Sequence, residues 1–229
     1  MARDRPLADD ERFRDLPVAP AGSDESQHLH LPSRQPVTVA ALASGERVDA
    51  LHVGPGTKVF PKEYFNNGKP IPKDRLGGGE NLRVKDFMVL PFAAQMMLST
   101  MVFDGVFERF PKLRGGVIEL GAGWVPEFMR QLDMAHKSFR KSDPELERLS
   151  LKPSDYIRRQ MKFTPYAGED VGRIIREAGE ELFLFSSDYP HPEGTRDPIG
   201  RFERTLEGIS AEAKDRFYAR NFAEMLSAA

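Results

Sequence analysis

The sequence predicts an α/β fold built on parallel strands, and three observations carry that expectation. From Arg47 onward, short apolar runs alternate with longer amphipathic ones, the rhythm of repeated βα units. The stretch Leu182 to Ser187 opens with four consecutive apolar residues, as a strand covered on both faces of a parallel sheet does. Chemically capable residues close successive strand-like runs: His52, Glu119, Thr164 and Asp188. Such strand ends are where α/β proteins assemble their sites, because the scaffold fixes several loops around one mouth.

Taken in order, residues 1–46 are rich in Arg, Asp, Pro, Ala and Ser without sustained periodicity, and read as a poorly ordered arm before a domain spanning 47–229. Val48 to Val53 reads as a strand closed by Gly54-Pro55-Gly56. The long loop KEYFNNGKPIPKDRLGGGENLRVKD follows, a length that is uncommon unless the loop covers a site. Its GGGENL lacks the following Lys-Ser/Thr of a phosphate cradle and reads as a flexible cover. Phe87 to Phe110 is predicted helical, with Met96, Met97, Met101, Val102 and Phe107 forming a stripe that packs on a sheet. A strand over Gly115 to Leu120 leads to a helix over Trp124 to Arg140, on which His136 is expected at the surface. Pro153 and Ser154 start a helical turn, Met161 to Thr164 is the third strand, and Asp170 to Gly179 a helix ended by its glycine. Leu182 to Ser187 is the fourth strand, and helices over about Pro198 to Gly208 and Ala211 to Leu226 close the chain.

Composition bounds the function. With 229 residues and 40% of them hydrophobic, the chain can bury a sizeable core. A net charge of -2 with both signs interspersed offers no basic field for nucleic acid, which leaves small molecules and proteins as expected partners. Cysteine is absent, so any metal must be held by His and carboxylates. No apolar run approaches the ~20 residues that span a bilayer, and the first residues have no signal-peptide core, so a soluble, cytoplasmic protein with no membrane partner is expected.

The segments ELGAGWVPEFMRQLD (119–133), PSDYIRRQ (153–160), FLFSSDYPHPEG (183–194) and RNFAEML (220–226) resemble the carboxyl half of the amidohydrolase-related superfamily. More narrowly, they are similar to the branch containing aminocarboxymuconate-semialdehyde decarboxylase. The resemblance covers roughly residues 48–226. It implies a (β/α)8 barrel with a divalent metal at its carboxyl-terminal mouth, of which this chain would carry the last four βα units, a partial TIM-type barrel. The implied chemistry is metal-dependent hydrolysis or nonoxidative decarboxylation of a small carboxylate or cyclic substrate. His52 matches the fifth-strand metal ligand of that pattern, and Asp188 the eighth-strand carboxylate, which would sit by the metal and orient or deprotonate its water. His and carboxylate ligands suit zinc, and also manganese or iron.

Two departures qualify the resemblance. At the sixth-strand position, where the best-known members have a general-base His, this chain has Glu119, the nearest titratable substitute. The first four βα units are missing. His28 and His30 have the spacing of the absent first-strand pair, but only 22 positions separate His30 from His52, too few for those units. Each candidate also has a structural reading. Asp188 could form an Asx turn, Glu119 could pair with an arginine, His52 could be an ordinary strand-end histidine, and His191 is either a substrate-facing donor or a solvated loop residue. The alternative to an enzyme is a noncatalytic half-barrel remnant. Either way, open sheet edges predict self-association edge to edge as a homo-oligomer, or aggregation of the chain expressed alone.

Overall fold

A computed structural model of the chain describes residues 37–42, 48–53, 84–189 and 194–227, with side chains from residue 87 onward. Among them four strands form one sheet in the order β1-β2-β3-β4: β1 (Val37–Leu42), β2 (Val48–Val53), β3 (Arg114–Ile118) and β4 (Met161–Phe163). The three strands expected from the apolar runs at 48, 115 and 161 are present and lie side by side in parallel, with His52 opposite Ile118 and Val117 opposite Phe163. β1 was not foreseen. It falls inside the segment read as an aperiodic arm and pairs antiparallel with β2, Val37 opposite Val53 and Leu42 opposite Val48.

The helices between the strands follow their local signals. The predicted helix over 87–110 is two, α1 (Val84–Phe103) and α2 (Val106–Arg109), because Gly105 turns left-handed at φ 70 and stops the first. The strand end Glu119–Gly123 leads into α3 (Val125–Phe139), with Pro126 in its first turn. α4 (Pro153–Gln160) runs straight into β4. α5 (Val171–Ala178), α6 (Pro198–Thr205) and α7 (Ala211–Asp215) are each capped by a short polar side chain: Asp170 accepts from Arg173 N, Asp197 from Gly200 N and Ser210 from Ala213 N. A π turn over Arg216–Arg220 joins α7 to α8 (Asn221–Ser227). No helix of the described residues is long and apolar enough to cross a membrane.

One face of the sheet packs on the helices. Val117, Met161, Phe163 and Phe183 belong to a continuous core with Leu98, Val102, Phe107, Phe128, Ile157 and Ile174. The stripe expected over 87–110 is only partly inside: Met101 and Val102 of α1 and Phe107 of α2 are buried, whereas Met96 is exposed. On the other face Leu184 forms a small cluster with Met225 of α8, and the Met225 sulfur also lies against the position a Cβ would take at Gly116. Lys162 sits between its core neighbours Met161 and Phe163, half-buried; burial pushes its amine below the ordinary lysine range, while Glu224 and Glu181 pull it back. Its Nζ donates to the Glu181 carbonyl.

The expected fourth strand is shorter than its apolar run. It reduces to a single parallel bridge, Phe183 with Phe163, flanked by hydrogen bonds from Phe163 N to Leu182 O and from Leu184 N to Phe163 O, both 2.9 Å. The groups alternating with these point away from β4, and the carboxyl-terminal helix takes them. Phe185 N donates to Phe217 O at 2.9 Å, and the buried Asn221 donates its amide to Phe183 O at 2.9 Å and to Glu180 O at 2.7 Å. The π turn makes this possible. Asn221 N bonds back five residues to Arg216 O, which releases Phe217 O from the helix ladder for Phe185. The open edge expected beyond the fourth strand is therefore closed by the chain itself, and edge-to-edge pairing is blocked there.

Both contacts of the Asn221 amide are carbonyls, which fixes its orientation. Asn221→Ala strands two carbonyls on the sheet edge and should lower stability by about 2–4 kcal/mol. Denaturant unfolding would show that loss, and hydrogen exchange should speed up at the Phe185 amide ahead of the amides of β3. An unchanged Phe185 amide would mean that the edge is held by something else.

Candidate functional site

The parallel register brings three of the sequence-predicted positions to the carboxyl end of the sheet. His52 is the penultimate residue of β2 and lies opposite Ile118, so Glu119, the next residue on β3, stands at the same level one strand over. Thr164 follows β4, and its N–H donates to Val117 O at 3.0 Å. Asp188 lies five residues beyond the Phe183 bridge. The side chain of His52, and His28, His30 and His191, lie outside the described residues. His136 is half-buried rather than on the surface, its Nε2 3.3 Å from Leu146 O.

Glu119 and Asp188 share a property the sequence did not announce. Among the described residues they are the two non-glycine residues at positive φ, 58° and 54°. A side chain in this left-handed region crowds the backbone and costs about 1–2 kcal/mol. Two carboxylates held this way, one after β3 and one after the Phe183 segment on the far side of β4, re-aim their side chains relative to a continuing strand. Asp188 Oδ2 is shielded from solvent.

The turn at Glu119 is held from both sides. Its N–H donates to Thr164 Oγ1 at 3.1 Å, and its carbonyl accepts from Tyr166 Oη at 2.6 Å. Trp124 Nε1 reaches back to Leu120 O and Gly121 O at 3.1 and 3.0 Å. The Glu169 carboxylate then gathers three backbone N–H groups, those of Ala122, Gly123 and Tyr166, at 2.7 to 2.9 Å. This explains the spelling of GAGW. A Cβ at Gly121, itself at φ 65, would stand 2.9 Å from the Tyr166 ring, and one at Gly123 2.7 Å from Glu169 Oε1. Tyr166 in turn packs on Phe87 of α1, ring centroids 4.9 Å apart. The sequence marks Thr164 only as a strand end and does not announce the roles of Tyr166, Glu169 and Trp124; Tyr166 and Glu169 have partners up to 47 residues away in the chain, whereas Trp124 bonds carbonyls only three and four residues back.

Chemically, this end of the sheet offers a carboxylate after β3, a second after the Phe183 segment and a histidine position on β2. That set can accept protons and can contribute to a cation site. The described residues alone do not fit one, since they hold no group of three or more His, Cys, Asp or Glu able to coordinate an ion.

A family model described as Amidohydrolase matches residues 28–227. Among solved structures, the chain is similar to the amidohydrolase map2389c from Mycobacterium avium subsp. paratuberculosis K-10, at 27% identity and a TM-score of 0.54, covering 65% of this chain and 37% of that one. It is also similar to a putative amidohydrolase from Staphylococcus aureus, at 20% identity and a TM-score of 0.50, covering 78% and 54% respectively. A third likeness is to dihydroxybenzoic acid decarboxylase from Polaromonas sp. JS666, with bound manganese and the inhibitor 2-nitroresorcinol, at 22% identity, a TM-score of 0.46 and coverage of 62% and 40%. The chain thus spans between 37% and 54% of the length of these relatives. No curated protein matches it.

Strain at the two carboxylates is measurable without reference to activity. Ala and Gly both remove whatever the native side chain contacts, so their difference isolates the backbone. At 119 and at 188 the Gly variant should be more stable than the Ala variant by about 1 kcal/mol, the reverse of the usual order. Denaturant titration of the four variants decides it, and an Ala variant as stable as its Gly counterpart would remove the strain argument. Glu169→Ala should cost about 2–3 kcal/mol by leaving three N–H groups without their acceptor, read as a fall in Tm of roughly 5–10 °C.

Proposed function

This chain belongs to the amidohydrolase family, and from that premise we propose that it derives from a metal-dependent hydrolase or nonoxidative decarboxylase acting on a small carboxylate or cyclic substrate. The observation that carries the reading is the convergence at the carboxyl end of the sheet of His52, Glu119 and the segment leading to Asp188, with both carboxylates in strained backbone. Strain of this kind collects at sites where aim matters more than stability. In this reading Asp188 and His52 contribute to a divalent-cation site, zinc first with manganese or iron as alternatives, Glu119 serves as the base, and His191 faces the substrate. The chain then corresponds to the last four βα units of a TIM-type barrel, preceded by the segment 1–46, of which β1 joins the sheet, in a cytoplasmic protein that self-associates.

Family and activity are separable. Two protein ligands fall short of the three usual in catalytic zinc sites, so His52 and Asp188 alone would hold a divalent ion only weakly. The packing of Met225 of α8 against Leu184 favours the second reading, a noncatalytic half-barrel, because that face would look into the barrel in a closed fold.

Calorimetric titration of the full chain with zinc and manganese separates the readings. The first predicts weak binding that fails to saturate at equimolar ion and is abolished by Asp188→Asn and by His52→Ala. Heat that is absent in the parent chain would favour the remnant. Tight stoichiometric binding that persists in Asp188→Asn would place the ligands elsewhere and sink the site assignment.

A further inference from the structure

α3 leaves the turn at Glu119–Gly123 and runs 15 residues, about 22 Å, so its last turn stands a helix length away from the candidate site. A 3-10 turn, Pro144–Arg148, follows it, and the two elements flank a solvent-open groove of about 410 Å³. The lining is His136, Arg140, Lys141, Leu146, Glu147 and Leu149. That volume lies in the ~300–1,000 Å³ range of small-molecule sites. No part of the chemistry proposed above uses this groove, and what it can hold follows from its lining.

The walls are held before any ligand arrives. His136 Nε2 lies 3.3 Å from Leu146 O; a carbonyl can only accept, so this nitrogen carries the proton and ties α3 to the turn. Between them Ser142 N and Asp143 N donate to Phe139 O at 2.9 and 3.0 Å, and Asp143 Oδ1 accepts from Glu145 N at 3.1 Å. The floor is apolar: Leu146 is buried, and the half-buried Leu149 packs on the main core. The charges do not cancel internally. Glu145 and Arg148 of the turn pair with each other at 2.6 Å, and Arg130 of α3 pairs with Glu127 at 2.8 Å. Arg140, Lys141 and Glu147 line one groove with opposite signs, yet among the described residues none of the three has an ion-pair partner.

We propose that this groove binds a small zwitterion with an apolar side chain, an apolar α-amino acid, its carboxylate on Arg140 and Lys141, its ammonium on Glu147 and its side chain over Leu146 and Leu149. Charge complementarity selects the occupant. A simple anion would meet Glu147, and a simple cation would meet Arg140 and Lys141. A purely apolar ligand would take water from all three charges without replacing it. A zwitterion supplies a charge-assisted partner to each wall, with Arg140 after α3 offering the fork that suits a carboxylate and Glu147 on the turn facing the ammonium. Arg140, Lys141 and Glu147 are exposed, so each pair contributes little and dissociation constants fall in the millimolar range. The groove needs no metal, and its occupancy is independent of the site at the carboxyl end of the sheet.

Titration of the isotope-labelled full chain with L-leucine, followed by amide chemical shifts, tests it. Shifts should concentrate at residues 136–149 and saturate in the millimolar range. N-acetyl-L-leucine, which lacks the ammonium, and L-leucinamide, which lacks the carboxylate, should each bind about 5-fold more weakly. Glu147→Gln should erase the preference for L-leucine over its acetylated form, and Arg140→Ala combined with Lys141→Ala the preference over the amide. All three positions are exposed, so these variants should fold, and thermal unfolding verifies it. Absence of shifts at 136–149 in the parent overturns the site. Acetylated leucine binding as tightly as leucine would make the groove a plain anion site and overturn the zwitterion. Preferences that survive the substitutions overturn the assigned contacts. Shifts confined to residues 182–189 would place the ligand at the strand ends and overturn the proposal.

Discussion

A short, mostly parallel sheet that is open among the described residues must find partners for the backbone groups along its last strand, and much of the described chain is arranged around that need. Leu182 O and Leu184 N are spent on β4, which leaves Phe183 O and Phe185 N facing outward. Unpaired, they would template another strand or cost the desolvation of two polar groups. The carboxyl-terminal helix supplies the acceptor from its own backbone and the donor from Asn221. A regular α-helix could not give up the Phe217 carbonyl. The π turn is the local irregularity that lets a helix act in place of a strand.

The same accounting explains the site end of the sheet. Where β3 stops, the chain turns sharply at Glu119, and the backbone groups of the turn would otherwise be lost to burial. Thr164, Tyr166, Trp124 and Glu169 take them up. Three of these four come from the loop after β4, so the two strand ends are tied into one unit before any ligand is considered. The left-handed conformation at Glu119 persists because its neighbours over-determine it, not because glutamate prefers it.

What the sequence made legible was local and periodic. The apolar runs at 48, 115 and 161 are strands because β-rich apolar text bounded by turn residues has few other solutions, and Asp170 and Gly179 announce the ends of α5 within ten residues. The amidohydrolase family was legible from ordered motifs. What was not legible depends on distant partners. Asn221 bonds carbonyls 38 and 41 positions away, and Glu169 reaches 46 and 47 positions back. Nothing beside either residue encodes those contacts. β1 escaped notice because VTVAAL gains its meaning only from β2, which it pairs residue for residue. The run at 182 was read as too long a strand because periodicity reports burial, and Leu182 to Leu184 are buried largely by helices.

Stability and chemistry are drawn from different parts of this chain. The carboxyl-terminal helix, which closes the last edge and lays Met225 on the second face, serves the fold whether or not a reaction occurs. Glu119 and Asp188 do the opposite, holding unfavourable backbone at positions where glycine would be easier. A chain under no demand but to fold has no physical reason to keep both side chains in the left-handed region. Their left-handed backbone is the part of the structure that folding alone does not explain, while the helix-closed edge is explained by folding alone.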